Sequence, residues 1–217
     1  DLFNITKEIH VIPNFIELNN NINDPRIPCM RSAIAKPGER IITHVSNFRK
    51  VKRIPDVIKI FAKIQEKIPA KLLMVGDGPE KAAAEDLCRK LGILEKVLFL
   101  GNSNEIDQIL SYTDIFLLPS ETESFGLAAL EAMAWSVPVI SSNSGGLPEV
   151  NIDGISGFLS PVGDVDSMAA NALSILENDE MLAIFKKNAL DIAKTFDIKN
   201  ILPLYEDLYR KILNKEL

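Results

Sequence analysis

An α/β fold, with a parallel sheet covered by helices on both faces, is predicted from three observations. Strand-like runs alternate with helical patterns from residue 41 onward, Gly- and Pro-marked turns separate them, and 217 residues at 47% hydrophobic and 25% charged suit one sizeable core. Strands joined through helices require right-handed crossovers and therefore run parallel.

In chain order, Ile9–Ile12 is strand-like and is followed by Pro13-Asn14. Residues 17–40 are rich in Asn, Asp, Pro and Lys and read as a loop with one short helix over 26–34. Strands are expected at 41–45, 71–75, 97–100, 114–118, 137–141 and 157–159. Between them come helices at 54–67, 80–91, 105–112 and 125–135, and one or two helical turns at 145–150. The first of these places Val57, Ile58, Phe61, Ala62 and Ile64 on one face. Helices at 165–177, 179–193 and 198–213 close the chain; the last has an apolar face through Ile201, Leu204, Tyr205, Leu208 and Ile212. That face either packs on this domain or meets a further one.

A net charge of −6 argues against general nucleic-acid binding, while leaving room for a local basic patch. Cys29 and Cys88 have neither disulfide nor metal-ligand spacing, and there is no membrane-length apolar run or signal peptide. A cytoplasmic location is the simplest expectation, with no membrane or nucleic-acid partner and with homo-oligomerisation left open. The chain starts at Asp1 without Met, which is expected of a piece of something longer.

Ligands of parallel sheets sit beyond the carboxyl ends of the strands, so five loops at that edge attract attention: 46–53, 76–80, 101–104, 119–126 and 142–149. The run from Phe125 to Trp135 is apolar except for Glu131, a carboxylate that packing does not require. It is either the member of a buried ion pair or a ligand for hydroxyl groups. At the start of that helix, Ser124, Phe125, Gly126 and Leu127 offer free amides and a helix dipole suited to phosphate. Glu123 lies in the preceding loop as a contact for a polar ligand group, or else as a solvated or capping carboxylate.

Arg49, Lys50, Lys52 and Arg53 place four cations in five positions, either to neutralise a diphosphate or as a solvated helix start. Gly76-Asp-Gly-Pro79 is a strand-to-helix turn without a dinucleotide fingerprint or a phosphate-loop lysine. Gly145 and Gly146 form either a plain turn or a backbone that a ligand approaches closely. His10 and His44 are isolated, and no metal site is read; His44 reads as a packing residue at a strand end.

Together these loops resemble the C-terminal half of retaining, nucleotide-sugar-dependent glycosyltransferases of the two-Rossmann-domain (GT-B) class, family 4. The resemblance rests on Glu123-Ser-Phe-Gly-Leu-Ala-Ala-Leu-Glu131, Gly76–Pro79, Gly145-Gly-Leu-Pro-Glu149 and the opening Val11-Ile-Pro-Asn14, and it covers nearly the whole chain. Within the family, Ser46–Arg53 and Pro119–Leu127 resemble members of the bacillithiol pathway. Family members usually carry Gly-Arg where this chain has Ser46-Asn47; Lys52 matches their lysine, and Arg49 would stand in for their arginine.

The resemblance implies a Rossmann-like domain over 16–196, the end of an inter-domain segment over 1–15, and a terminal helix over 197–217 that packs toward a missing N-terminal domain. It implies UDP-N-acetylglucosamine as donor substrate, L-malate as acceptor, and no cofactor or metal. Glu131 would hold the ribose and Glu123 the donor sugar, while Arg49, Lys52 and the amides of 125–127 hold the diphosphate. Gly76 and Gly145 would border the donor, with Gly101 and Asn102 near the uracil. Family members with UDP- or GDP-sugars also build glycolipids and polysaccharides, so that alternative stands beside the first. A non-catalytic nucleotide-binding module and sugar-nucleotide epimerase chemistry are further alternatives.

Overall fold

The computed structural model describes residues 9–18 and 31–214. Its sheet is built from β1 (Arg40–Val45), β2 (Ala70–Val75), β3 (Val97–Gly101), β4 (Ile115–Leu118), β5 (Val139–Ser142) and β6 (Gly157–Ser160). The spatial order is β3-β2-β1-β4-β5-β6 and every pairing is parallel. The chain moves outward from β1 to β3, returns to β4 on the other side of β1, and then moves outward again. This reversal opens a crevice between the carboxyl ends of β1 and β4.

Strand periodicity explains the two covered faces. Ile42, Leu72, Met74, Ile115 and Leu117 point into one buried cluster, with α2 (Ile54–Gln65), α3 (Lys81–Lys90) and α7 (Val165–Leu176) packed over it. Their neighbours Ile41, Leu73, Val75, Phe116 and Leu118 point the other way. That face is covered by α1 (Arg31–Ile34), α4 (Ile106–Ser111), α5 (Leu127–Ala134) and the end of α8 (Asp179–Thr195). Each fully buried Ile, Leu or Phe of these clusters contributes about 1.5–3 kcal/mol over an exposed one.

Local chemistry sets the helix limits. Asp164, Asn178 and Asp197 cap α7, α8 and α9 (Ile198–Leu213) by accepting hydrogen bonds from first-turn amides. The helix expected from 125 starts at Leu127, because Gly126 takes a left-handed backbone (φ 95°) that ends the loop. The turns expected at 145–150 become α6 (Leu147–Val150). Of the helix expected at 26–34, residues 26–30 lie outside the described residues, as do 1–8 of the inter-domain segment.

Ile9–Ile12 is not a strand. Among the described residues it belongs to no strand, and it borders a groove of about 290 Å³ with Leu204 and Leu208 of α9. Ile16 forms an isolated bridge to Asp197. Ile201 of α9 is buried and Tyr205 meets Phe15 edge-on at 6.4 Å, but Leu204, Tyr209 and Ile212 are exposed. Among the described residues no helix is long and apolar enough to cross a membrane.

Candidate active site

The loops that follow β1, β4 and β5 are tied to one another at the crevice. Glu121 donates its amide to the Val51 carbonyl at 2.8 Å, and Gly146 donates to the Glu123 carbonyl at 2.9 Å. Ser144 Oγ donates to the Glu121 carbonyl and Ser142 Oγ to that of Ser120. Gly145 has φ +58°, and a Cβ there would stand 1.9 Å from the Glu123 carbonyl oxygen, so only glycine permits this approach. The β2 and β3 loops are joined in the same way, through the Gly76 amide and the Gly101 carbonyl at 2.7 Å.

This framework holds a charged pair. Lys52, at the end of a single 3-10 turn (Lys50–Lys52), donates to Glu123 Oε1 at 2.5 Å, and Ser120 Oγ donates to the same oxygen at 2.8 Å. Both side chains are mostly withdrawn from solvent, which strengthens their attraction and leaves Oε2 as the freer acceptor of Glu123. Behind them lies fully buried His44. Its Nδ1 contacts the Leu117 carbonyl at 2.8 Å, an acceptor only, so Nδ1 carries the proton and Nε2 accepts from Ser46 Oγ at 2.7 Å. Burial pushes the imidazole pKa down to about 4, which keeps the ring neutral.

Lys52, Ser46, Asn47, Gly76, Asn102 and Ala128 line a cavity of about 410 Å³. Ser103 and Ile106 also line a second cavity, of about 550 Å³, that reaches Asp107 and Glu131. The two form one groove across the carboxyl edge of the sheet. Glu131 stands on the open side of α5, one turn after exposed Leu127, while Ala129, Leu130, Ala132 and Met133 are buried beneath it. The buried ion pair considered from sequence is thus replaced by a carboxylate facing the groove. Partial desolvation by the groove floor, and then the charge of Asp107, raise its pKa. At the start of α5, Gly126 makes no side-chain cap, and its carbonyl takes the Ala129 and Leu130 amides, which leaves the earlier amides of the turn for a ligand.

The four cations diverge. Lys52 faces the cavity; Arg53 donates to Asp56 at 2.5 Å; Arg49 and Lys50 are exposed and lie outside the lining. The structure therefore brings Lys52, but not Arg49, together with Glu123. Gly76 and Asn102 border the cavity, and Gly101 holds the Gly76 amide. Gly145 shapes the Glu123 loop, and the Gly146 amide is donated to the Glu123 carbonyl. Phe125 is buried against Phe196, edge-on at 5.7 Å, with Ser124 exposed beside it. Sequence reasoning missed Asp107, whose Oδ1 accepts from Trp135 Nε1 at 3.0 Å. A buried indole N–H requires an acceptor, but the sequence does not say which residue supplies it.

Residues 29–191 match the family of glycosyl transferases group 1. The chain belongs to the group 1 glycosyl transferases. Among its relatives, the N-acetyl-alpha-D-glucosaminyl L-malate synthase of Bacillus anthracis is 38% identical over all of this chain and 57% of that protein. A D-inositol 3-phosphate glycosyltransferase of Mycobacterium marinum is 31% identical over 82% of this chain and 40% of that protein. This group 1 chain thus spans about half the length of the curated relatives it matches. Among solved structures, sucrose-phosphate synthase from Thermosynechococcus elongatus superposes with a TM-score of 0.84 at 26% identity, covering 95% of this chain and 53% of that one. Anabaena Alr3699/HepE in complex with UDP and glucose does so at 0.80 and 25%, covering 92% and 56%. The Rossmann-like sheet of this group 1 chain is the GT-B arrangement.

Proposed function

We propose that this chain is the donor-binding half of a retaining glycosyltransferase that moves N-acetylglucosamine from UDP-N-acetylglucosamine to L-malate. The observation that carries the reading is the polarity of the groove: a cation and free helix amides at one end, hydroxyl-accepting carboxylates at the other. That is the charge pattern of a nucleoside diphosphate sugar. The whole-chain relative named for N-acetylglucosaminyl malate synthesis supports the particular donor and acceptor.

In this reading Glu131 accepts from the ribose hydroxyls, and the first amides of α5 hold phosphate oxygens. Lys52 turns from Glu123 to the diphosphate as the donor arrives, and Glu123, still held by Ser120, accepts from sugar hydroxyls. The bond from the sugar's anomeric carbon to the β-phosphate oxygen breaks, and UDP leaves with the electron pair. The acceptor hydroxyl attacks from the same face and its proton passes to the departing phosphate. Lys52 and the amides stabilise the charge that develops, with no metal ion required. The two glutamates are therefore binding groups and do not form the acid and nucleophile pair of a retaining glycosidase. The exposed face of α9 and residues 9–12 serve as the surface toward the absent half, which supplies most of the malate pocket and whose closure excludes water.

The test is a product assay of the full-length protein with UDP-N-acetylglucosamine, with and without L-malate. UDP release that rises with malate and yields the α-linked glycoside is expected; release indifferent to malate overturns the acceptor. The inositol-phosphate transferase among the relatives makes inositol 3-phosphate the second acceptor to supply in that assay.

A further inference from the structure

We propose that Asp107 is a second acceptor for a ribose hydroxyl and sets how strongly the groove prefers ribonucleotides to deoxyribonucleotides. This rests on the nucleotide reading above. Asp107 borders both cavities that contain Glu131, one of about 550 Å³ and one of about 60 Å³ floored by Trp135. The larger of these carries three carboxylates, Glu17, Asp107 and Glu131, and no Lys, Arg or His in its lining.

Two features show that Asp107 is placed and not merely present. The Trp135 indole N–H, fixed by a ring that is only 8% exposed, holds Oδ1 at 3.0 Å and leaves Oδ2 as a directed acceptor. The position is in the first turn of α4, next to Ile106, which lines the same cavity as Glu131. Like charges that share a cavity are costly unless hydrogen-bond donors arrive to satisfy them. Hydroxyl groups of a ligand can supply such donors. A vicinal diol supplies two, one for each carboxylate. The charge of Asp107 also disfavours ionisation of Glu131, which links the two as parts of one recognition site.

Titration calorimetry of the full chain with UDP, 2′-deoxy-UDP and 3′-deoxy-UDP tests the assignment. The D107N variant keeps an oxygen for the Trp135 N–H and removes the charge, and thermal unfolding checks its fold. D107N is expected to weaken UDP about fivefold, and one of the two deoxy analogues by less than about twofold, because that analogue has already lost the hydroxyl. The same factor on all three ligands, or no effect on any, overturns the role of Asp107 while leaving the nucleotide reading intact. Failure of the unsubstituted chain to bind UDP overturns both.

Discussion

At one end of the groove Lys52 and Glu123 are paired with each other before a ligand arrives, whereas at the other Glu131 and Asp107 face a cavity whose lining holds no cation. The first end is pre-organised by five contacts between loops and needs an exchange of partners on binding. The second is a pair of carboxylates on α4 and α5, and in the proposed reading it gains most when hydroxyls arrive. In the proposed reading the Lys52 end responds to the charge that develops on the leaving group, and the Glu131 end recognises hydroxyls.

The largest effect that separates the two ends is on transfer. Lys52→Ala in the complete enzyme should lower kcat by roughly 10²–10³, as removal of a preorganised charge at a leaving group does, and an unaltered kcat would remove Lys52 from that role. Next comes the framework. Gly145→Ala drives a Cβ into the Glu123 carbonyl and should cost about 3 kcal/mol in urea unfolding. Gly154→Ala, with φ +71° and nothing within 4 Å, pays only the backbone strain of about 1–2 kcal/mol. Equal losses would show that the loop contact carries no strain.

The third effect is acid sensitivity beneath the Lys52 end. The unfolded chain protonates His44 near 6.5, but the folded protein does so only near 4, because burial opposes the charge and Lys52 adds to that opposition. Between these values the unfolded state binds more protons. Stability should therefore fall by on the order of 3 kcal/mol as pH drops from 6.5 to 4, and His44→Asn should flatten that slope. The smallest effect lies at the other end. Glu131→Gln should weaken UDP about tenfold at neutral pH. Because the Glu131 pKa is raised, affinity of the unsubstituted chain should fall as pH descends toward that pKa, and the variant should show no such limb.

Much of the fold was readable because its signals are local. Strand β1 was expected at 41–45 and found at Arg40–Val45, since β-branched runs bounded by turn residues leave little choice. Ile9–Ile12 has the same composition and is no strand, because strand formation needs a neighbour and composition does not report one. The loop holding Glu123 and the helix holding Glu131 were recognised from their spacing. The cation run was not resolved: a 3-10 turn followed by left-handed Arg53 (φ 52°) sends four adjacent side chains in different directions, and only coordinates show that Lys52 alone turns inward. Asp107 was hidden because its partner, Trp135, lies 28 residues away, just past the end of another helix.

The central claim is a groove with a phosphate end at Lys52 and a ribose end at Glu131. Calorimetric titration of the chain with UDP and with uridine tests it most directly. Lys52→Ala should weaken UDP and leave uridine unchanged, while Glu131→Gln should weaken both by the same factor. Equal loss of UDP and uridine on substitution of Lys52, or UDP affinity indifferent to both substitutions, would contradict it.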